Sequence, residues 1–483
     1  MHKRVGFLVL AVVLIAAGCS ENRNPSPLAP TTQNDRATGI DLEASASAIV
    51  AQAGWPVSVE TVGGAPAQAQ CEHGANIEFL GRQVISGDVA HYAWRVQVGP
   101  GPYEEIHIHR VVRENAAHRP ISTPTSYFLL HGDWKNFEGC FLPSLHSSSL
   151  QPDFGFAVFL AQHDVDVWGI DQAWALVPAE VTDCSFMADW GMQKHVDWTN
   201  AAVEIARIVR RMTGSGYRKM GLFGYSGGSA LGFAVINEDA GRRPGNRKIS
   251  AFIGLDQGVH TDNPDWDQAM CSMAATYQAM IDTGQYQDFV ALPYFGEPAR
   301  EDPEGASELI PGFTNYQAAL GLGSMPMLVP GFPSHFLAGI FDEAGTPTGL
   351  QYTNPDGWID FLCYAPAYEA AAFERDEYLW CCSSAGDVPW DDNFSRVRIP
   401  IFFVAIVGGF GVETVSTLDL LGTADKSCLI VTAGSADPLL DFGHIDAMLA
   451  SNAPQLVWQP ILDWIDEHGR ARESVPGAVT VAE

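Results

Sequence analysis

The sequence predicts an α/β fold: a mostly parallel sheet with helices on both faces and a large inserted cap. Three observations predict it. Short, largely apolar runs recur (YFLL, VDVWGID, KMGLFG, ISAFIGLD, RIPIFFVAIVGG), as expected of strands buried on both faces. Helical periodicity falls between them, most clearly from Gln193 to Met212. The alternation then stops between Gln257 and about Ser395 and resumes afterwards, so one long segment interrupts a regular pattern.

Taken in order, the chain opens on MHKRVGFLVLAVVLIAAGCS. Lys3 and Arg4 precede an apolar run, and Ala16, Ala17 and Gly18 precede Cys19. The run is shorter than the ~20 residues a spanning helix takes, and it fits a secretory leader. Its ending, AAGC, resembles the lipobox of bacterial lipoproteins, which implies lipidation at Cys19. Residues 1–19 are therefore expected to be a leader and 20–45, rich in Pro, Thr, Asn, Asp and Ala, a flexible tether. The expected location is the bacterial cell envelope, on the periplasmic face or cell surface, with membrane contact through the lipid alone. Export implies an oxidising compartment, and the eight cysteines after Cys19 form an even set suited to disulfides. None has CxxC metal spacing, and the adjacent Cys381 and Cys382 are expected either to pair elsewhere or to join each other.

HYAWRVQVGPGPYEEIHIHRVVREN alternates apolar and polar residues around Gly-Pro-Gly, the pattern of a β-hairpin. Its His107 and His109 share one strand face, which reads as an ordinary exposed face before it reads as a metal site. A strand at Tyr127–Leu130 ends on His131-Gly132, a helix follows near 153–162, and VDVWGID forms the next strand, entered through His163-Asp164. Trp198, Ala202, Ile205, Val209 and Met212 then recur at helical spacing until Thr213-Gly214-Ser215-Gly216 stops them. KMGLFG and ISAFIGLD are strands separated by a small-residue helix. After the interruption come the strand at 398–409, a helix near 412–421, the strand SCLIVTA, a loop with FGHID and a final helix. The core is thus expected over 46–256 and 396–470, the cap over 257–395 and a tail over 471–483.

Chemistry concentrates in GLFGYSGGSALG. A serine hydroxyl needs a base to become a nucleophile and must project clear of the backbone. Gly224-Tyr225-Ser226-Gly227-Gly228 meets the second need, because a strand that turns sharply into a helix leaves the serine at the apex. No GK[ST] follows for a phosphate loop, and the glycines are misplaced for a dinucleotide fingerprint. The base is expected on a loop after the last strand, where His444 lies; His468 sits at the polar end of the final helix. Two backbone amides should face the developing oxyanion: that of Gly227 and that of Asp133, after His131-Gly132. The side chain of Asp133 is expected to point away, since a carboxylate there opposes an oxyanion.

This order of HG loop, GxSxG elbow and late GH loop resembles the α/β-hydrolase superfamily over roughly residues 90–470, and within it the lipase and esterase branch. The resemblance implies a Ser226–His444–acid triad with no cofactor and no metal. The acid is open. Glycines fill the usual place in IVGGFGVETV, leaving Glu413 nearest, with Asp419 and Asp425 further on. Asp256, at the end of IGLD, matches the alternative placement seen in pancreatic-type lipases and is preferred.

The expected activity is ester hydrolysis through an acyl-enzyme. The aromatics and methionines of the cap lean the substrate toward apolar acyl or aryl groups, although most of them would form the cap's own core. Alternatives are peptide, amide or polyester hydrolysis by the same residues, or a non-catalytic ligand-binding protein. A formal charge of -30 disfavours nucleic acid and anionic membrane faces as partners.

Overall fold

The computed structural model describes residues 40–57, 77–326 and 334–470. The leader with Cys19, most of the tether, Cys71 and the tail from 471 lie outside the described residues. No helix among the described residues is long and apolar enough to cross a membrane.

The sheet contains β1 (Ile77–Ser86), β2 (Val89–Gln97), β3 (Glu105–Ala116), β4 (Ser126–Leu130), β5 (Asp166–Asp171), β6 (Met220–Tyr225), β7 (Ile249–Leu255), β8 (Ile401–Ile406) and β9 (Lys426–Val431). Their spatial order is β1-β2-β3-β5-β4-β6-β7-β8-β9, and Arg119–Pro120 adds a short strand beside β3. β1, β2 and β3 form an antiparallel meander joined antiparallel to β5. From β5 to β9 every pairing is parallel. The mostly parallel sheet follows from the apolar runs. β4 is buried at every position because both of its faces are covered.

The two faces feed two cores. Phe128 and Leu130 point to one, with α1 (Leu42–Gln52), Val196, Ile205 and Val209 of α2 (Met192–Met212), and Phe233 of α3 (Gly227–Gly241). Tyr127 and Leu129 point to the other, with Phe156 and Leu160 of the helix Phe156–Gln162 and Ile461 and Ile465 of the C-terminal helix Gln459–Arg470. Between them Arg110 and Arg210 close on the buried carboxylate of Asp166 at the start of β5. Burial of that carboxylate is tolerated because both charges and the donors meet it.

The stretch from 257 to 395 leaves the sheet after β7 and returns at β8. It forms α4 (Pro264–Asp282), α5 (Leu292–Glu301), α6 (Asn315–Ser324), α7 (Pro355–Cys363) and α8 (Ala371–Cys381). These pack on an apolar cluster that includes Trp266, Phe295, Leu320 and Trp358 and takes in Phe410, Ile445 and Leu449 from outside the inserted stretch. Cys271 on α4 is joined to Cys382 at the end of α8. Cys382 therefore pairs elsewhere, Cys381 is free and buried, and the expected set of bridges reduces to this one among the described residues. The stretch 411–420 is a 3-10 helix.

His107 and His109 depart from expectation. Their face is not exposed: His109 is 2% exposed and its ring stacks on Phe137. Both rings lie 3.0 Å from an oxygen of Asp171, and His109 also meets His91 at 2.9 Å. The face is covered because the short helix Phe137–Phe141 packs onto it.

Candidate active site

Ser226 stands between β6 and α3 with φ 57° and ψ −133°. This left-handed backbone is strained for a serine and aims the side chain off the end of the strand. The neighbouring glycines are required by contact. A Cβ on Gly224 would collide with the carbonyl of Gly228, and one on Gly228 with the carbonyl of Leu130. A Cβ on Gly132 would meet that of Ser226 at 2.8 Å, so the HG loop packs directly on the elbow.

His444 reaches the same cavity from the loop after β9. Its backbone is anchored by its N–H donating to the His335 carbonyl at 3.0 Å and its carbonyl accepting from the Tyr225 hydroxyl at 3.2 Å. Its ring lies between Tyr225 and Phe410, with centroids 4.9 and 4.5 Å away. Nδ1 contacts Asp256 Oδ2 at 2.7 Å. If Nδ1 carries the proton, Nε2 is left as the acceptor on the opposite edge.

Asp256 is fully buried at the end of β7, also with positive φ (60°). Its Oδ1 accepts from the amides of Ile406 at 2.7 Å and Gly411 at 2.9 Å, and its Oδ2 accepts from Phe410 N at 3.2 Å. Three backbone donors and an imidazole nitrogen line this site, and the carboxylate accepts from them. The glycines in the loop after β8 now have a reason. A Cβ on Gly409 would collide with Asp256 Oδ2, and one on Gly411 would come within 2.6 Å of Oδ1. The loop lacks an acid of its own because it wraps the acid of the preceding strand. Glu413 instead accepts from Asn263 Nδ2 at 2.8 Å, away from His444. His468 contacts Asp425, so neither belongs to this group.

Asp133 corrects one expectation. Its side chain does not turn away. The carboxylate lies against Gly227, where an added Cβ would collide with it, and the amides of Gly227 and of Asp133 itself both favour its charged form. Burial outweighs them and pushes the Asp133 carboxyl up to about 6. The two amides expected to receive an oxyanion thus already face a carboxylate.

Ser226, His444 and Asp133 line one cavity, roofed by residues of α4, α5, α7 and α8. One wall is apolar, formed by Trp134, Trp266, Met270, Phe336, Phe361 and Phe410. Several of these also belong to the core of the inserted helices. The other wall carries Glu374, Glu377 and Tyr378 from α8. The sequence reading missed this wall. The only signal was Glu374 and Glu377 three residues apart, hence on one helix face. Lys135 also lines the cavity, but its Nζ donates to the carbonyls of Phe361 and Tyr364, and burial draws it down to about 7.

No known family profile matches the chain, and no curated protein matches it. Among solved structures, it is similar to a protein of Sulfolobus solfataricus named as a lipase, at 16% identity and a TM-score of 0.55, over 81% of this chain and 99% of that one. It is also similar to a cold-adapted esterase from an Arctic intertidal metagenomic library (10% identity, TM-score 0.38, 81% and 99% coverage). A third is the proline iminopeptidase of Mycobacterium smegmatis (14%, 0.38, 76% and 96%). At such identity the first likeness is one of fold, and with the strand order and the elbow it identifies this chain as an α/β-hydrolase in fold.

Proposed function

We propose that the chain is a serine hydrolase acting on carboxylic esters, with Ser226 as nucleophile, His444 as base and Asp256 as the acid. The observation that carries the reading is the 2.7 Å contact of His444 Nδ1 with Asp256, on a ring that shares a cavity with the strained Ser226. His444 Nε2 would take the proton of Ser226 as Oγ bonds to the acyl carbon. The C=O electron pair then moves onto oxygen, which the amides of Gly227 and Asp133 would receive once the Asp133 carboxylate has moved off them. Collapse breaks the ester C–O bond, and His444 returns its proton to the leaving alkoxide. Water repeats the sequence on the acyl-enzyme. Asp256 keeps the imidazole in one tautomer and stabilises its cationic form. The apolar wall supports acyl or aryl groups as the part of the substrate that fills the cavity.

The N-terminal pattern adds that the enzyme is exported and lipid-anchored through Cys19, a proposal that labelling of the whole protein with radioactive palmitate in a bacterial host tests: loss of label in C19A supports it, and an unlabelled parent refutes it.

Replacing Ser226 with Ala should lower p-nitrophenyl ester turnover by roughly six orders of magnitude. It should also abolish stoichiometric labelling by a fluorophosphonate, with the circular dichroism unchanged. Turnover retained in S226A would remove the assignment.

A further inference from the structure

The acidic wall has no counter-charge. Oxygens of Asp133, Glu369 and Glu374 lie within 4.8 Å of one another, and Glu377 faces the same cavity. Glu369, Glu374 and Glu377 are at most 2% exposed. Both oxygens of Glu374, Oε1 of Glu369 and Oε2 of Glu377 have no hydrogen-bond partner. Glu369 and Tyr378 stand beside Glu374 closely enough to influence its charge, yet neither is in bonding geometry with its oxygens. Of the remaining oxygens, Glu369 Oε2 accepts from the Trp134 backbone N–H at 2.9 Å, Glu377 Oε1 accepts from the Gln257 amide, and the Asp133 carboxyl lies against Glu369 and the amides of Gly227 and Asp133. Among the described residues no lysine or arginine forms an ion pair with any of the four.

Elsewhere several buried carboxylates meet a cation, while Asp446 is held by neutral donors instead. Asp166 has Arg110 and Arg210, Glu114 has Arg82, and Asp376 has Arg375. Without a cation, burial raises all four carboxyls, so the wall holds protons that an entering ammonium would displace, and these acids cluster beside the nucleophile. An unsatisfied group at a concave site is what a ligand completes. An ammonium offers three N–H donors, which match the unpartnered oxygens of Glu374 and Glu369 and the Asp133 carboxyl that converges with them. A calcium ion would ask for six to eight oxygens.

We propose that Asp133, Glu369, Glu374 and Glu377 form a subsite for a substrate ammonium group carried close to the scissile carbonyl, and that binding it draws the Asp133 carboxylate off the amides of Gly227 and Asp133. The substrate's own charge thereby clears the place where the oxyanion develops. The substrate class becomes esters, or the corresponding amides, of compounds bearing an amine beside the acyl carbon and an apolar remainder. This inference rests on the serine-hydrolase reading and deepens it.

A matched pair tests it. p-Nitrophenyl glycinate and p-nitrophenyl propionate differ by an ammonium in place of a methyl. Each rate is divided by its spontaneous hydrolysis, at about pH 6.5, below the ~7.8 of an α-amino group. The full chain should prefer the glycinate in kcat/KM by roughly ten- to hundredfold, the range of a charge-assisted hydrogen bond. Glu374→Gln and, separately, Glu377→Gln should reduce that ratio, with folding checked by circular dichroism. Should both variants fail to fold, methylammonium must inhibit glycinate hydrolysis competitively in the unaltered protein. A normalised ratio near one, with Ser226 still labelled by a fluorophosphonate, overturns the subsite and leaves the serine hydrolase standing. Activity lost to a chelator and restored by calcium equally for both esters also overturns it, assigning the carboxylates to a metal. No labelling and no turnover of either ester removes both proposals.

Discussion

Asp133 places a carboxylate against Gly227, where the carbonyl oxygen of an ester would develop negative charge in the proposed reaction. Two like charges a few ångströms apart in a poorly solvated cavity repel strongly. D133N keeps the shape and removes the charge, so it should raise kcat/KM for the neutral propionate ester by about tenfold. A fall would mean that the carboxylate assists the reaction directly. The acid can be tested with a contrasting pair. D256N presents an amide N–H to His444 Nδ1 and forces the wrong tautomer, so kcat should fall by about three to four orders of magnitude. E413Q touches only the contact with Asn263 and should stay within roughly twofold of the parent. Equal losses in the two would return the choice of acid to the open state in which the sequence leaves it. Ser226 and His444 are legible from spacing alone, because an elbow needs Gly-x-Ser-x-Gly and a base needs a late loop. The choice between Asp256 and Glu413 is harder to read. Its signal was negative, a glycine-rich loop, and only the collision of a Cβ with the Asp256 carboxylate explains why glycine is required.

At the scale of elements, the helices α4 and α8 divide the cavity between them. α4 brings Trp266 and Met270 to the apolar wall, and α8 brings Glu374 and Glu377 to the acidic one. The Cys271–Cys382 bridge, spanning 111 residues, ties the two. Replacing both cysteines with Ser should lower stability by about 2–4 kcal/mol in chemical denaturation. Because it loosens the walls and not the elbow, it should raise KM more than it lowers kcat; an unchanged KM would show that packing alone holds the walls. Strands were readable here because burial on both faces leaves continuous apolar runs, as in β4, β6 and β8. The inserted helices were not, because their faces are divided between a small core, a cavity and solvent, which blurs any single period. Their start signals were nevertheless present. Asn263-Pro264 and Asn354-Pro355 begin α4 and α7, with each asparagine side chain accepting backbone N–H groups and each proline at the first helical position. Thr314 and Gln317 form a capping box on α6. Caps outlast periodicity as evidence when a helix has no uniform environment.

For the whole molecule, the charge of -30 and the buried acids set how stability follows pH. Burial raises nine described carboxyls: Asp133 to about 6, Asp446 to about 7, and Asp239, Asp288, Glu369, Glu374, Asp376, Glu377 and Asp391 by direction. For each, the folded state holds a proton between the unfolded value near 4 and the raised one, where the unfolded chain does not. Folding is therefore favoured as pH falls through about 7 toward 4. Three buried histidines act oppositely: His91 is drawn down to about 3, His195 to about 4, and His131 in the same direction. Below 6.5 the unfolded chain protonates them and the folded one does not, which lowers stability as pH falls. The carboxyls outnumber the histidines and begin to act at higher pH, and acidification also relieves the repulsion of a strongly anionic surface. Below about 4 the sign changes for Glu138, held down to about 2 chiefly by His146 against its burial, and for Asp171, whose charge His107 and His109 favour. The midpoint of thermal unfolding, measured at constant ionic strength from pH 8 to pH 3, should rise to a maximum at about pH 4 and then drop. A midpoint that only falls from pH 8 downward would mean that the histidines dominate, and that the acidic wall beside Ser226 is ionised at no net penalty to the fold.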